Sequence, residues 1–245
     1  SAPLPISAMK IGINGAVSTS TKPENQPIQL ANMKNKNAFP LLSAVCLAAI
    51  SFPAITTADT ISGTFTFDKR PPAAAIVYVK DGTPAELSEI VVNQVNKEFA
   101  QPIAIAPKGT TVIFRNSDTI QHNVFGTSTE ANVSFDSGLV DPDSDVLQEV
   151  TWEEGEFVTV GCRIHPKMRI WIGSVTTSNY TILPIDREQE VSFKIEGVPA
   201  SASEVVVWFP RYDPIEISLS GSNSSTHELT YKAKPIGSLA ISRSN

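Results

Sequence analysis

The chain has 245 residues, 41% of them hydrophobic and 18% charged, with 19 Lys and Arg against 25 Asp and Glu for a formal net charge of −6. An acidic balance argues against nucleic acid or an anionic membrane surface as the partner, and favours solubility and a basic partner surface. The length beyond any leader suits one or two small domains.

Residues 1–32 are polar, patternless and rich in Ser, Thr, Asn and Pro. They read as an over-extended gene start or a disordered extension. Residues 33–58 open on Met33, carry Lys34 and Lys36, continue with an apolar run and end in small residues, the pattern of a secretory signal peptide. Thr56 and Ala58 place cleavage before Asp59, with Ala54 as a second position. Pro40, Pro53 and the many small residues make this run a poor membrane span, so a membrane enters only if the segment stays uncleaved. The expected location is the periplasm or another exported compartment. Processing removes four lysines and one glutamate and leaves a charge of −9. Cys46 leaves too; its reading as a lipoprotein anchor is weakened by bulky Val45. Cys162 is then the only cysteine, and in an oxidising compartment a lone cysteine is an intermolecular bridge, a reactive thiol or a metal ligand.

From residue 61 onward the chain reads as all-β. ISGTFTF (61–67), AAIVYVK (74–80), IVVNQVN (90–96), PIAIAP (102–107), TTVIFRN (110–116), VLQEVTW (146–152), EFVTVGC (156–162) and RIWIGSV (169–175) are short, rich in Val, Ile, Thr and aromatics, and separated by turn signals such as PKGT and EEGE. PAELSEI (84–90) is the one stretch with a helical pattern. Strands at this spacing predict an antiparallel or Greek-key sandwich over 59–178. A second block, 179–245, carries DREQEVSFKIEGVP, SEVVVWFP, IEISLSG and HELTYKAK, and reads as a small accessory β-sandwich following the first.

The soft and borderline metal ligands of the first block fall in two places. His122 stands in QHNVFG after a predicted strand; Cys162, His165 and Met168 share GCRIHPKM between two others. One thiolate, two imidazoles and a weak thioether form the donor set of a mononuclear copper electron-transfer site, because Cu(I) favours sulfur and Cu(II) favours nitrogen. On a continuous strand positions 162, 165 and 168 would not converge, but in a tight loop they can wrap one ion. Pro166 fixes its own φ and biases His165 to an extended conformation, stiffening that loop. Asn123 can turn its backbone N–H to the thiolate and its side chain to the ligand loop.

HNVF followed forty residues on by CxIHPxM resembles the cupredoxins, the plastocyanin, azurin and amicyanin group of blue copper proteins. The short CxxHxxM loop looks most like amicyanin and the cupredoxin-like methylamine-utilisation proteins, and the likeness extends through VVNQVNKEFAQPIAIAPKGTTVIFRNSDTIQHNVFG and SFDSGLV over residues 61–177. The resemblance implies a Greek-key cupredoxin sandwich with His122, Cys162 and His165 as strong copper ligands and Met168 as the axial one. FKIEGVPASASEVVVWFPRYDP (193–214) resembles, more loosely, a carboxypeptidase-regulatory-like or transthyretin-like module. Gly161 and Arg163 depart from the pattern, since a bulkier residue is frequent before the cysteine.

Zinc fits less well, because structural zinc takes four strong ligands and a thioether is a poor one. A multicopper enzyme needs further imidazoles, and only His227 remains, in a segment that reads as solvated. No GxSxG, HExxH or Walker pattern is present, so the chain is not expected to be an enzyme. The expected function is that of an exported type 1 copper protein, holding one Cu(I)/Cu(II) ion and passing single electrons to a redox partner such as a dehydrogenase or cytochrome. Copper binding and delivery for tolerance, without a redox partner, is the alternative. Trp171 is a further candidate for an electron path or partner contact, and the DPDSD stretch (141–145) for a docking patch.

Overall fold

The computed structural model describes residues 58–245. The expectations for residues 1–32 and for the signal segment up to residue 57, including Cys46, lie outside the described residues. In chain order the strands are β1 (Asp59–Phe67), β2 (Ala74–Val79), β3 (Ile90–Val95), β4 (Glu98–Phe99), β5 (Ile103–Ile105) and β6 (Thr111–Asn116). There follow β7 (His122–Ser128), β8 (Val133–Val140), β9 (Asp145–Glu149), β10 (Phe157–Gly161) and β11 (Arg169–Gly173). The series ends with β12 (Tyr180–Pro184), β13 (Glu190–Val198), β14 (Glu204–Trp208), β15 (Ile215–Ser218), β16 (Ser224–Tyr231) and β17 (Lys234–Ser244). Among the described residues there is no helix.

These strands form four sheets, in the orders β13-β1-β17-β16, β12-β2-β14-β15, β5-β11-β10-β7-β8 and β4-β3-β6-β9. The first two enclose one apolar core, containing Phe65, Val77, Val207, Phe209 and Leu239. The last two enclose another, containing Phe114, Trp152, Val160 and Ile172 together with Cys162 and Met168. The protein is therefore two β-sandwiches, as the alternating short strands imply.

The division of the chain between them differs from the sequence-based one. Chain order and strand pattern group β1 and β2 with the first block, yet β1 pairs with β13 and β17, and β2 pairs with β12 and β14. The second sandwich thus uses both ends of the described chain, and the strands from β3 to β11 sit within it as an insertion. Loop-closure entropy rises only slowly with loop length, so a whole domain between β2 and β12 is tolerated. Alternation within ISGTFTF and AAIVYVK marks strands but carries no label for their partners.

β2 explains how the two sandwiches meet. All six of its residues are buried. Ala75, Val77 and Val79 face the core of their own sandwich, while Ala74, Ile76 and Tyr78 pack with Ile103, Ile105, Val175 and Val206. An unbroken apolar run is the mark of a strand covered on both faces. Phe157 stacks on Trp208 across this junction with ring centroids 3.9 Å apart and planes 6° from parallel. Asn179 pins the connection between the sandwiches, accepting from the Thr83 amide at 2.7 Å and donating to the Glu196 and Gly197 carbonyls at 3.1 Å each.

Three further differences have local causes. PAELSEI forms no helix; Pro84 bridges Thr177 and the Ala85 amide donates to the Thr176 carbonyl, so the segment runs along the sandwich as extended chain. β7, β8 and β17 are strands that composition hid, because Gly126, the DSG turn signal and the Pro235/Gly237 pair interrupt the pattern. The sheets are also mixed, since β3 runs parallel to β6 and β5 parallel to β11.

Candidate metal centre

His122 is the first residue of β7, and the turn before it is fixed by buried Asn116. The Asn116 amide group donates to the carbonyls of Ile120 (2.9 Å) and Val140 (3.2 Å), and its side-chain oxygen accepts from the Asp118 amide (3.0 Å). Asparagine suits this capture because its short side chain replaces backbone partners in a turn. Asp118 is thereby aimed at the fully buried imidazole, with Oδ2 2.7 Å from His122 Nε2.

The β3–β4 turn supports that carboxylate. Asn96 and Lys97 hold φ values of 55° and 59°, as a two-residue type I′ hairpin requires, and each backbone amide donates to Asp118 at 2.8 Å. Burial pushes the Asp118 carboxyl up, but the Lys97 amide, the His122 ring and the Asn96 amide outweigh it and hold the group below the usual carboxylate value. His122 Nε2 faces this carboxylate, so Nδ1 is the ring nitrogen whose lone pair a metal ion would use.

That lone pair points at two other donors. His122 Nδ1 lies 3.1 Å from His165 Nδ1 and 4.0 Å from Cys162 Sγ, and the thiol is 3.6 Å from His165 Nδ1. Burial first, then repulsion from the neighbouring His122 ring and Lys97, push His165 below the ordinary histidine value, against the opposing pull of Asp118. These distances test the fit of a metal ion. A point in the plane of the three atoms lies about 2.1 Å from each, against about 2.0–2.1 Å for an imidazole nitrogen and 2.3 Å for a thiolate on a first-row ion. The donors fit without rearrangement.

Cys162 follows β10 directly and is 2% exposed. The Asn123 amide donates to its sulfur at 3.3 Å. Gly161 stands where the resemblance leads one to expect a bulkier residue, and the space is tight: a Cβ there would lie 3.2 Å from the Phe125 ring and 3.3 Å from the Met168 carbonyl, so these neighbours would have to give by a few tenths of an ångström. The loop closes through the Met168 amide, which donates to the His165 carbonyl at 2.9 Å. Met168 is itself 1% exposed and packs in the same apolar cluster as Cys162.

The structure brings His122, Cys162 and His165 together, with all three ligand atoms within 4.8 Å of one another; Met168 packs in the apolar cluster of Cys162, and the Asn123 amide bonds to the sulfur. Asn123 also ties the ligand loop to β8. Its side chain accepts from the Arg163 amide (3.2 Å) and donates to Asp136 Oδ1 (2.6 Å) and the Gly138 carbonyl (3.0 Å). Arg163 adds a bond from Nε to Asp136 at 2.6 Å and lies 4.4 Å from the centre of the Phe125 ring. His227 is elsewhere, on β16, beside Ser225 Oγ at 2.8 Å. Asp118, Asp136 and Arg163 were not legible as site residues. Asp118 announces itself only through its position four residues before His122, and the Asn96-Lys97 turn lacks the glycine that flags a hairpin.

No protein-family model and no curated protein sequence matches the chain. Among solved structures, amicyanin from Paracoccus versutus aligns at 19% identity and a TM-score of 0.31, covering 40% of this chain and 96% of that one. A purple cupredoxin from Nitrosopumilus maritimus aligns at 19% identity and a TM-score of 0.29, covering 36% of this chain and 98% of its own. The copper-containing nitrite reductase of Thermus scotoductus aligns at 22% identity and a TM-score of 0.31, covering 36% of this chain and 22% of the reductase.

Proposed function

We propose that the protein is an exported cupredoxin-like electron carrier that holds one copper ion at His122, Cys162 and His165, with Met168 as a weak fourth donor. The observation that carries this reading is the convergence of one thiol and two imidazole nitrogens on a single point, from segments forty residues apart in sequence. Copper bound there supplies a one-electron couple, and one sulfur-rich, two-nitrogen set accommodates both oxidation states.

The chain's own residues keep the site stiff. Asp118 fixes the tautomer and orientation of His122, the Asn123 amide holds the thiolate, and Pro166 with the Met168–His165 backbone bond restrains the loop. Ligands held this way need little movement between oxidation states. His165 is half-buried whereas His122 and Cys162 are covered, so its ring is the edge nearest solvent. Exposed Ile120 and Ile164 lie on the same segments as the ligands, and exposed Leu139 pairs opposite Asn123 on β8, which supports apolar contact with a partner beside that edge.

Titration of the chain with Cu(II) tests the reading. A strong visible thiolate-to-copper absorption is expected at one equivalent, lost in Cys162→Ser. Uptake giving only the weak spectrum of an imidazole and carboxylate complex refutes it. Slow, irreversible redox cycling with ready transfer of Cu(I) to an acceptor would favour copper delivery over electron transfer.

A further inference from the structure

A cleft at the junction of the sandwiches has a charge opposite to that of the protein. This cleft, about 830 Å³ in volume, is lined by Lys69, Arg70, Lys167, Arg169, Arg211 and Lys234, and by no carboxylate. These are six of the fifteen Lys and Arg in residues 59–245, in a stretch whose net charge is −9. None of the six takes part in the ion pairs formed among the described residues, which engage Lys80, Lys108, Arg115, Arg163, Lys194 and Arg243 instead. The net charge, which favours a basic partner, therefore describes the wrong face.

The floor of the cleft is aromatic and stiff. Trp171 comes from β11, and the Tyr212 ring packs at a tilt of 42° on Tyr231, with centroids 4.8 Å apart, while its hydroxyl donates to the Arg70 carbonyl at 3.1 Å. Pro72 and Pro102 add apolar surface of fixed backbone. All six cations are exposed and hydrated, so a small anion would gain little by exchanging its own water for theirs. An apolar aromatic floor with a charged, solvated rim is instead the anatomy of a protein–protein contact, where rim charges steer encounter and aromatics hold the complex. Lys167 and Arg169 flank Met168, so the cleft continues onto the ligand loop.

We infer that the cleft is the docking site for an acidic, aromatic-bearing face of a partner protein, which its position beside the ligand loop brings close to the metal centre. The redox character of that partner rests on the copper reading above; the docking itself does not.

The probe is a fluorescein-labelled peptide of glutamates interspersed with phenylalanine, titrated into the full chain without added copper and followed by anisotropy. Saturable binding at low ionic strength, tighter than for an all-glutamate peptide and weakened as added salt shortens the screening length below about 10 Å, is expected. The triple variant Lys69→Glu/Arg211→Glu/Lys234→Glu should bind about tenfold more weakly or worse, because three attractive rim charges become repulsive to an acidic partner. A control with the same change in net charge, Lys108→Glu/Arg187→Glu/Lys194→Glu, should stay within about twofold of wild type, and Trp171→Ala should erase the preference for phenylalanine. Equal losses in both triples, no binding, or binding only to a sulfated polysaccharide would overturn the proposal. Because the readout uses no metal, a chain that fails to give the copper absorption still tests the cleft.

Discussion

Asn123→Ala removes the side chain that couples the ligand loop to the sheet beneath it. Asn123 is 3% exposed and makes three side-chain hydrogen bonds, from the Arg163 amide and to Asp136 and Gly138. Each such bond is worth about 0.5–1.5 kcal/mol net, so the set contributes roughly 2–4 kcal/mol. Arg163 and Asp136 are partly exposed and rehydrate when released, which places the expected loss near the middle, at about 2–3 kcal/mol. Urea unfolding of the metal-free chain at pH 7, followed by tryptophan fluorescence, should show a lower midpoint with an unchanged slope. The bond to the thiolate is made by the Asn123 backbone, so the variant should still give the copper absorption but release the ion faster. A loss below about 0.5 kcal/mol, or abolition of the absorption, would refute this account of how the loop is held.

Asp118→Asn keeps the shape but withdraws the charge behind His122, so Cu(II) affinity should fall about tenfold or more in a competition titration and the reduction potential should rise. The Gly138 amide, with Arg163 and Asn123, holds the Asp136 carboxyl at about 2, so its contribution to stability is complete above the ordinary carboxylate value and disappears as pH falls toward 2. The urea midpoint of wild type should accordingly exceed that of Asp136→Asn at pH 6 and converge with it at pH 2. Gly237→Ala would set a Cβ 2.1 Å from the Thr66 carbonyl oxygen and 2.9 Å from Phe67 Cα, both backbone atoms that cannot swing away. It should cost about 2 kcal/mol or more, read as a lowered melting temperature. Gly126→Ala meets only the half-buried Phe135 ring and should cost less.

The sequence by itself determined the strand-rich class and the donor set. Val, Ile and Thr runs bounded by turn residues are local properties, and a thiol, two imidazoles and a thioether are a chemical inventory that no folding can add to. It also located the Cys162–Met168 loop, because that loop's geometry depends on a few neighbouring residues. Tertiary structure alone decided which strands pair. β1 and β2 read like the strands after them, and only long-range hydrogen bonding joins them to β13, β17, β12 and β14. The same holds for Asp118, whose role arises when a turn at Asn96 and Lys97 delivers two amides to it across some twenty residues. The basic cleft belongs to this second kind as well: its cations come from four separate stretches of chain, and charge summed along a sequence has no direction until the fold gives it one.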